Sequence, residues 1–361
     1  MLGDGSEALA KPGRRFTFID SMRGFAASWV AIFHINKIGG DHTRYAGNAH
    51  QSYYDFMMSG ALGVTIFFVI SGFAVHSSLL RTDSARDFLA RRFWRIYPPY
   101  IASLAVVMAV IIVHKLLTGN NDLIGVPHNA LGWIATLTLT TQPATTVAPI
   151  NWVYWTLTYE LAFYLWLSLA LLVPRARWAV LVTPAVLALF WTSEKTFVPL
   201  FFIYQWCFFA LGTALAEWDR ERGWRPIGLA VLCLATMIVH RTWLETSVAL
   251  LAAFLIVAST APWGDWLNGE RVLRKLGDWS YSIYLIHLPI GCWIALGAID
   301  PWPRKLSQAG LAVHLGIDLS AFAVTVAFAW GFWRLVEKPS IARSKAVGRK
   351  PAPTPEPLAY A

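Results

Sequence analysis

An all-α polytopic membrane protein with about ten transmembrane helices is the fold this sequence predicts, and three observations predict it. The 361 residues are 56% hydrophobic and only 14% charged, with a mean hydropathy of +0.48, against about 25% charged residues in ordinary soluble domains. Apolar runs of membrane length recur from one end of the chain to the other. Nineteen tryptophans accompany them, and tryptophan collects at membrane–water interfaces. Such a composition excludes a large soluble core.

Taken in order, the runs place spans at about 18–36, 61–80, 97–117, 152–173, 178–193, 197–216, 226–240, 246–261, 279–298 and 311–336. The first, FIDSMRGFAASWVAIFHI, is apolar except for Asp20, Arg23 and His34. Residues 1–15 are polar and basic, and no small-residue cleavage site follows the run, so it is expected to remain as an uncleaved signal anchor. Eleven residues make about three helical turns, which puts Arg23 and His34 on one face, roughly 16 Å apart along the axis. Asp20 shares that face. A charge at membrane depth costs about 2.5–3.5 kcal/mol on insertion scales, so the stripe is expected to face protein or a water-filled cavity.

The second span, ALGVTIFFVISGFAVHSSLL, holds Ser71-Gly72 near its middle, either a helix-packing notch or a ligand contact. His76 reads as structural. FLARRFWRIYPPY follows, where Arg91, Arg92 and Arg95 crowd one turn of an inner loop with Trp94 and Tyr97 interleaved. Guanidinium forks suit phosphate oxygens, although a preference for basic residues on the inner side explains most such loops by itself. The longest outer connection, 118–151, contains ALGWIATLTL, which is too short to span. Next comes NWVYWTLTYELAFYL, placing Glu160 about 12 Å in from the outer face, where an ionisable residue is a functional-site candidate. The fifth, seventh and eighth spans are short, and Pro98, Pro99, Pro174, Pro226 and Pro262 mark span ends. In the ninth, LGDWSYSIYLIHLPI, Ser280, Tyr284 and His287 fall on one helical face, with His287 expected level with Glu160. After Ser340 the chain turns rich in proline, alanine and lysine, a composition expected to be disordered.

The net charge of +9 and pI near 9.6 do not point to nucleic acid, because the basic residues alternate between connections. With the N-terminus inside, 22 of the 30 lysines and arginines fall in inner segments and seven in outer ones, leaving Arg23 within the first span. Both termini are therefore expected in the cytoplasm, and the protein in the cytoplasmic (inner) membrane. Cys207, Cys233 and Cys292 fall within spans without paired or metal-like spacing, and no metal is expected.

Six segments together resemble the membrane-bound acyltransferase-3 family, which includes bacterial O-antigen and exopolysaccharide O-acetyltransferases. They are IDSMRGFAA with the later His34, FFVISGF, RRFWRIYPPY, WTLTYELAFY, LGDWSYSIYLIH, and LVEKP containing Glu337 and Pro339. The resemblance implies a domain over residues 1–340, followed by a disordered cytoplasmic tail over 341–361. It implies transfer of an acyl group, usually acetyl, from coenzyme A to a hydroxyl of a carbohydrate or lipid-linked glycan. His34 matches the histidine of the family's first helix, and Arg91, Arg92 and Arg95 match its cytoplasmic arginine motif. On this reading His34, Glu160 and His287 are candidate catalytic residues, while Arg23, Ser71 and the three arginines are candidate acyl-CoA contacts. Thr156 stands where serine is common. No hydrolase-like domain follows the last span, so transfer is expected to be completed by the membrane domain or a partner. A secondary transporter of an anionic solute is the rival from another class, disfavoured by the lack of inverted repeats.

Overall fold

The computed structural model describes residues 17–39, 48–118, 126–191, 198–260, 271–296 and 311–348. Among these the secondary structure is helical throughout. The helices are α1 (Thr17–Gly39), α2 (Asn48–Met58), α3 (Gly63–Leu79), α4 (Ala85–Thr118), α5 (Ala130–Leu137), α6 (Trp155–Leu172) and α7 (Arg177–Ala188). They continue with α8 (Ile203–Arg220), α9 (Trp224–His240), α10 (Trp243–Thr260), α11 (Arg271–Asp278), α12 (Ser280–Ile286), α13 (Leu311–Phe332) and α14 (Lys338–Ala346). Each expected span overlaps one of these helices over its described residues. Five stretches are long and apolar enough to cross a membrane by length and composition: Ser52–Leu79, Ala85–Leu117, Trp152–Leu172, Trp243–Thr260 and Leu311–Ala346. This is an all-α membrane protein.

The prolines inside the helices organise the packing. A proline lacks the N–H that would bond the carbonyl four residues earlier, and in hydrocarbon that carbonyl must find another donor. Pro98 in α4 frees the carbonyl of Trp94, which accepts from Ser340 Oγ of α14. Pro184 in α7 frees Val180, whose oxygen accepts from Trp166 Nε1 at 2.8 Å. Pro289 frees Leu285, whose oxygen accepts from Asn151 Nδ2 at 3.2 Å. These three interior breaks are thus repaired by a side chain from another segment.

This repair corrects one expectation. The arginine motif lies inside a helix rather than in a loop: α4 starts at Ala85, carries Arg91, Arg92 and Arg95 in its early turns, and runs straight through Pro98 and Pro99. Packed along it is α14, with Ser344 Oγ donating to the Arg91 carbonyl at 2.8 Å and Arg343 lying over the Trp94 ring at 5.1 Å. Of the tail expected to be disordered, residues 341–346 complete α14, and 349–361 lie outside the described residues. The short α5 is capped by Asn129, whose side chain accepts from Gly132 N at 2.7 Å and so satisfies a free helical donor.

Two glycine pairs bring helices to backbone contact. Gly72 of α3 faces the Phe209 carbonyl of α8, and Gly212 of α8 faces the Val69 carbonyl of α3; a Cβ on either would collide with the other backbone. Gly24 of α1 and Gly277 of α11 make the same reciprocal crossing, against Leu273 and Asp20. Small residues at such crossings let helices associate closely in lipid. Beside the first crossing, the buried Glu217 accepts from His76 Nε2 at 2.6 Å and is flanked by Arg177 at 3.4 Å and Arg220 at 3.2 Å. His76 therefore ties α3 to α7 and α8, as its structural reading anticipated.

Candidate active site

The α1–α11 crossing sets the distance to the first chemical group. His34 lies ten residues beyond Gly24, and His287 ten beyond Gly277. After the break at Trp279, α12 and the helical turns that follow it pack along α1 and bring both imidazoles together. There His287 Nε2 stands 3.1 Å from His34 Nδ1, with ring centroids 4.9 Å apart. The helix widens to a π-helix from His287 to Leu296, a form that recurs at functional sites.

The hydrogen bonds fix the tautomers. His287 Nδ1 lies 3.1 Å from the Ile283 carbonyl, which can only accept, so this nitrogen carries the hydrogen. In the neutral ring Nε2 is then an acceptor. His34 Nδ1 faces that acceptor and the Val30 carbonyl at 2.9 Å, so it is protonated too. His34 Nε2 is left with a free lone pair and no hydrogen-bond partner among the described residues. A half-buried imidazole with an unprotonated nitrogen is a base ready for use.

A second polar group surrounds the other end of the α1 stripe. Arg23 lies within Coulombic range of Arg95, Glu337, Asp20 and Glu160. Arg92 lies over the rings of Phe88 and Tyr164, at 5.7 and 5.6 Å, and its buried Nε has no partner among the described residues. Glu160 Oε1 accepts from Tyr164 Oη and, at 3.2 Å, from Ser71 Oγ. Glu337, fully buried, accepts at Oε2 from Ser282 Oγ at 2.6 Å and from Ser282 N at 3.2 Å. Among the described residues no carboxylate comes within 4.0 Å of Arg23, Arg92 or Arg95. Three guanidiniums, none held by a carboxylate within 4.0 Å among the described residues, offer forks suited to an anion.

Comparison with known proteins decides what kind of protein carries this arrangement. A family model described as an acyltransferase domain matches residues 16–334. The chain belongs to the acyltransferase-3 family. This acyltransferase is similar to "Acyltransferase MdmB" of Streptomyces mycarofaciens, 27% identical over 76% of this chain and 79% of the relative. It is also similar to "Nodulation protein 10" of Rhizobium leguminosarum bv. viciae, at 28% over 82% and 86% of the two chains. The "O-acetyl transferase" of Shigella phage Sf6 is 24% identical over 90% of this chain and 96% of its own. No solved structure matches. The relatives and the family make the protein a membrane O-acyltransferase, and nothing in them supports the transporter reading.

In the acyltransferase the residues singled out from sequence fall into two groups. His34 and His287 meet directly. Arg23, Arg92, Arg95, Ser71 and Glu160 gather at the other end. Glu160 is not level with His287: Thr156 Oγ1 lies 2.6 Å from Tyr284 Oη, and from there Glu160 is four residues along one helix and His287 three along the other, in opposite directions. That separates them by about 10 Å along the axis. Arg91 turns elsewhere, donating to Thr82 Oγ1 at 3.1 Å and the Val347 carbonyl at 3.3 Å. Sequence reasoning gave no role to Glu337, Ser282, Tyr164 or Asn151. The only signal for Glu337 was its place in LVEKP.

Proposed function

We propose that the protein moves an acyl group, acetyl in the simplest case, from acyl-CoA at the cytoplasmic face to a hydroxyl of a carbohydrate or lipid-linked glycan. The observation that carries this reading is the histidine pair, whose tautomers leave His34 Nε2 as a base about 16 Å along α1 from an unpaired arginine cluster. Arg23, Arg92 and Arg95 receive the donor's phosphates, and the thioester end reaches the histidines. The acceptor hydroxyl gives its proton to His34 Nε2 as its oxygen attacks the thioester carbonyl. When the C–S bond breaks, His34 returns that proton to the departing thiolate, so the ring ends neutral.

His287 is the positioning residue of this step. Its Nε2 holds the His34 Nδ1–H, which becomes a stronger donor once His34 is protonated. Ser71 acts through Glu160, fixing a carboxylate beside the arginines, and Arg91 holds α4 to the C-terminal segment. The excess of basic residues in alternate connections supports the donor site facing the cytoplasm, in the inner membrane, with both termini on that side. The name of the phage relative, an O-acetyl transferase, supports the acetyl group and the hydroxyl acceptor.

The test uses purified protein in lipid nanodiscs with labelled acetyl-CoA. Saturable donor binding and acceptor-dependent release of free CoA are expected. A well-folded protein that neither binds nor turns over any acyl-CoA would overturn the reading. Mass spectrometry of surface glycans from a deletion strain identifies the acceptor.

A further inference from the structure

Glu337 presents an oxygen that nothing described in the protein uses. Its side chain is fully buried, and Oε2 is fastened by both the backbone N–H and the hydroxyl of Ser282. Oε1 is equally buried and has no hydrogen-bond partner among the described residues. Arg95 and Arg23 are near enough to balance the charge but too far to ion-pair. A buried acceptor left without a donor is costly, and native structures keep one only for a reason.

Its position supplies the reason. Ser282, which holds Glu337, lies five residues beyond Gly277, where α11 crosses α1 one residue from Arg23, and five residues before His287. Glu337 is therefore some 7–8 Å along α12 from the histidine pair, and within Coulombic range of Arg95 and Arg23. The chain reaches Glu337 through the π-helical turn Trp333–Glu337, which joins α13 to α14, a form that recurs at functional sites. A donor with phosphates at the arginines and thioester at His34 must thread its pantetheine arm past this point. That arm carries two secondary amides, each with an N–H.

We propose that Glu337 Oε1 is the docking point for one pantetheine amide N–H of the acyl donor, a reading that rests on the donor being an acyl-CoA. Ser282 fixes the carboxylate so that only this oxygen is free, and the arm is held in register between its two ends. The contact depends on the N–H rather than on the amide carbonyl.

The test uses acetyl-CoA and two analogues in which one or the other amide N–H is replaced by an ester oxygen. With the full-length protein in nanodiscs, one analogue is expected to bind about tenfold or more weakly than acetyl-CoA, the size of a lost hydrogen bond to a charged group. Glu337→Gln is expected to bind acetyl-CoA and that analogue within about twofold of each other. If both analogues bind the unaltered protein as tightly as acetyl-CoA, the docking proposal fails while the donor reading stands. If acetyl-CoA itself does not bind, the donor reading fails and takes this one with it. The analogue comparison needs no variant, so a Glu337→Gln protein that fails to fold does not rescue either.

Discussion

His34 and His287, 253 residues apart in the chain, meet through a single 3.1 Å contact between Nδ1 of one and Nε2 of the other. The contact is directional. Because His287 gives its own Nδ1–H to the Ile283 carbonyl, it can only receive from His34. One histidine thus offers its outer nitrogen for chemistry while the other determines which nitrogen that is.

His34→Ala is expected to lower acyl transfer by about 10²–10⁴-fold, the usual loss of a general acid–base. Expression and thermal unfolding should stay near those of the unaltered protein, since the imidazole is only half-buried. Near-normal acyl incorporation by well-expressed protein would remove His34 from the reaction.

Substitution of His287 separates its two bonds. His287→Gln can still accept from His34 Nδ1–H through its amide oxygen, whereas His287→Ala cannot. Gln is expected to retain more kcat than Ala, with donor KM unchanged in both. Equal losses in the two variants, or a loss confined to KM, would argue against a positioning role.

The arginines of α4 are expected to divide by function. Arg95→Ala should weaken acyl-CoA affinity by about tenfold or more, as expected for losing a hydrogen bond to a charged group. Arg91→Ala should leave donor affinity within about twofold and instead speed proteolysis of the C-terminal segment, because Arg91 holds Val347. Isothermal titration and limited proteolysis on the same preparations distinguish the two.

Trp166→Phe removes the indole N–H from the Val180 carbonyl that Pro184 leaves open. Orphaning that oxygen should cost about 1–3 kcal/mol. Adding Pro184→Ala restores a backbone N–H, so the double variant should unfold at a higher temperature than Trp166→Phe alone. Strict additivity of the two substitutions would show that the pair is not coupled.

Hydropathy made the all-α membrane class legible, because a lipid-exposed helix needs a long apolar run and little else reads that way. Five of the expected spans are helices long and apolar enough to cross a membrane. Pro98 and Pro99 misled the reading of α4: they look like a helix start, and the donor that lets the helix continue, Ser340, lies 246 residues away. His34, Arg23 and the arginine motif stood out as charges in apolar surroundings. Glu337 did not, since its meaning depends on Ser282 across the bundle and on an oxygen left over once Ser282 is satisfied. The level assigned to Glu160 failed for a similar reason. Counting residues in from each face ignores where α6 and α12 touch, and the contact between Thr156 and Tyr284 sets that offset.

The three repaired prolines differ in the order in which their partners are made. Trp166 precedes Val180 and Asn151 precedes Leu285, so those carbonyls find a donor already synthesised when they emerge. Trp94 does not, for Ser340 is translated 246 residues later. Through most of biosynthesis α4 must rely on water at the membrane surface to satisfy that carbonyl. The turn that carries Arg95 therefore reaches its final setting only as α14 leaves the ribosome, and a chain interrupted before Ser340 would insert its spans yet leave the arginine end unfinished.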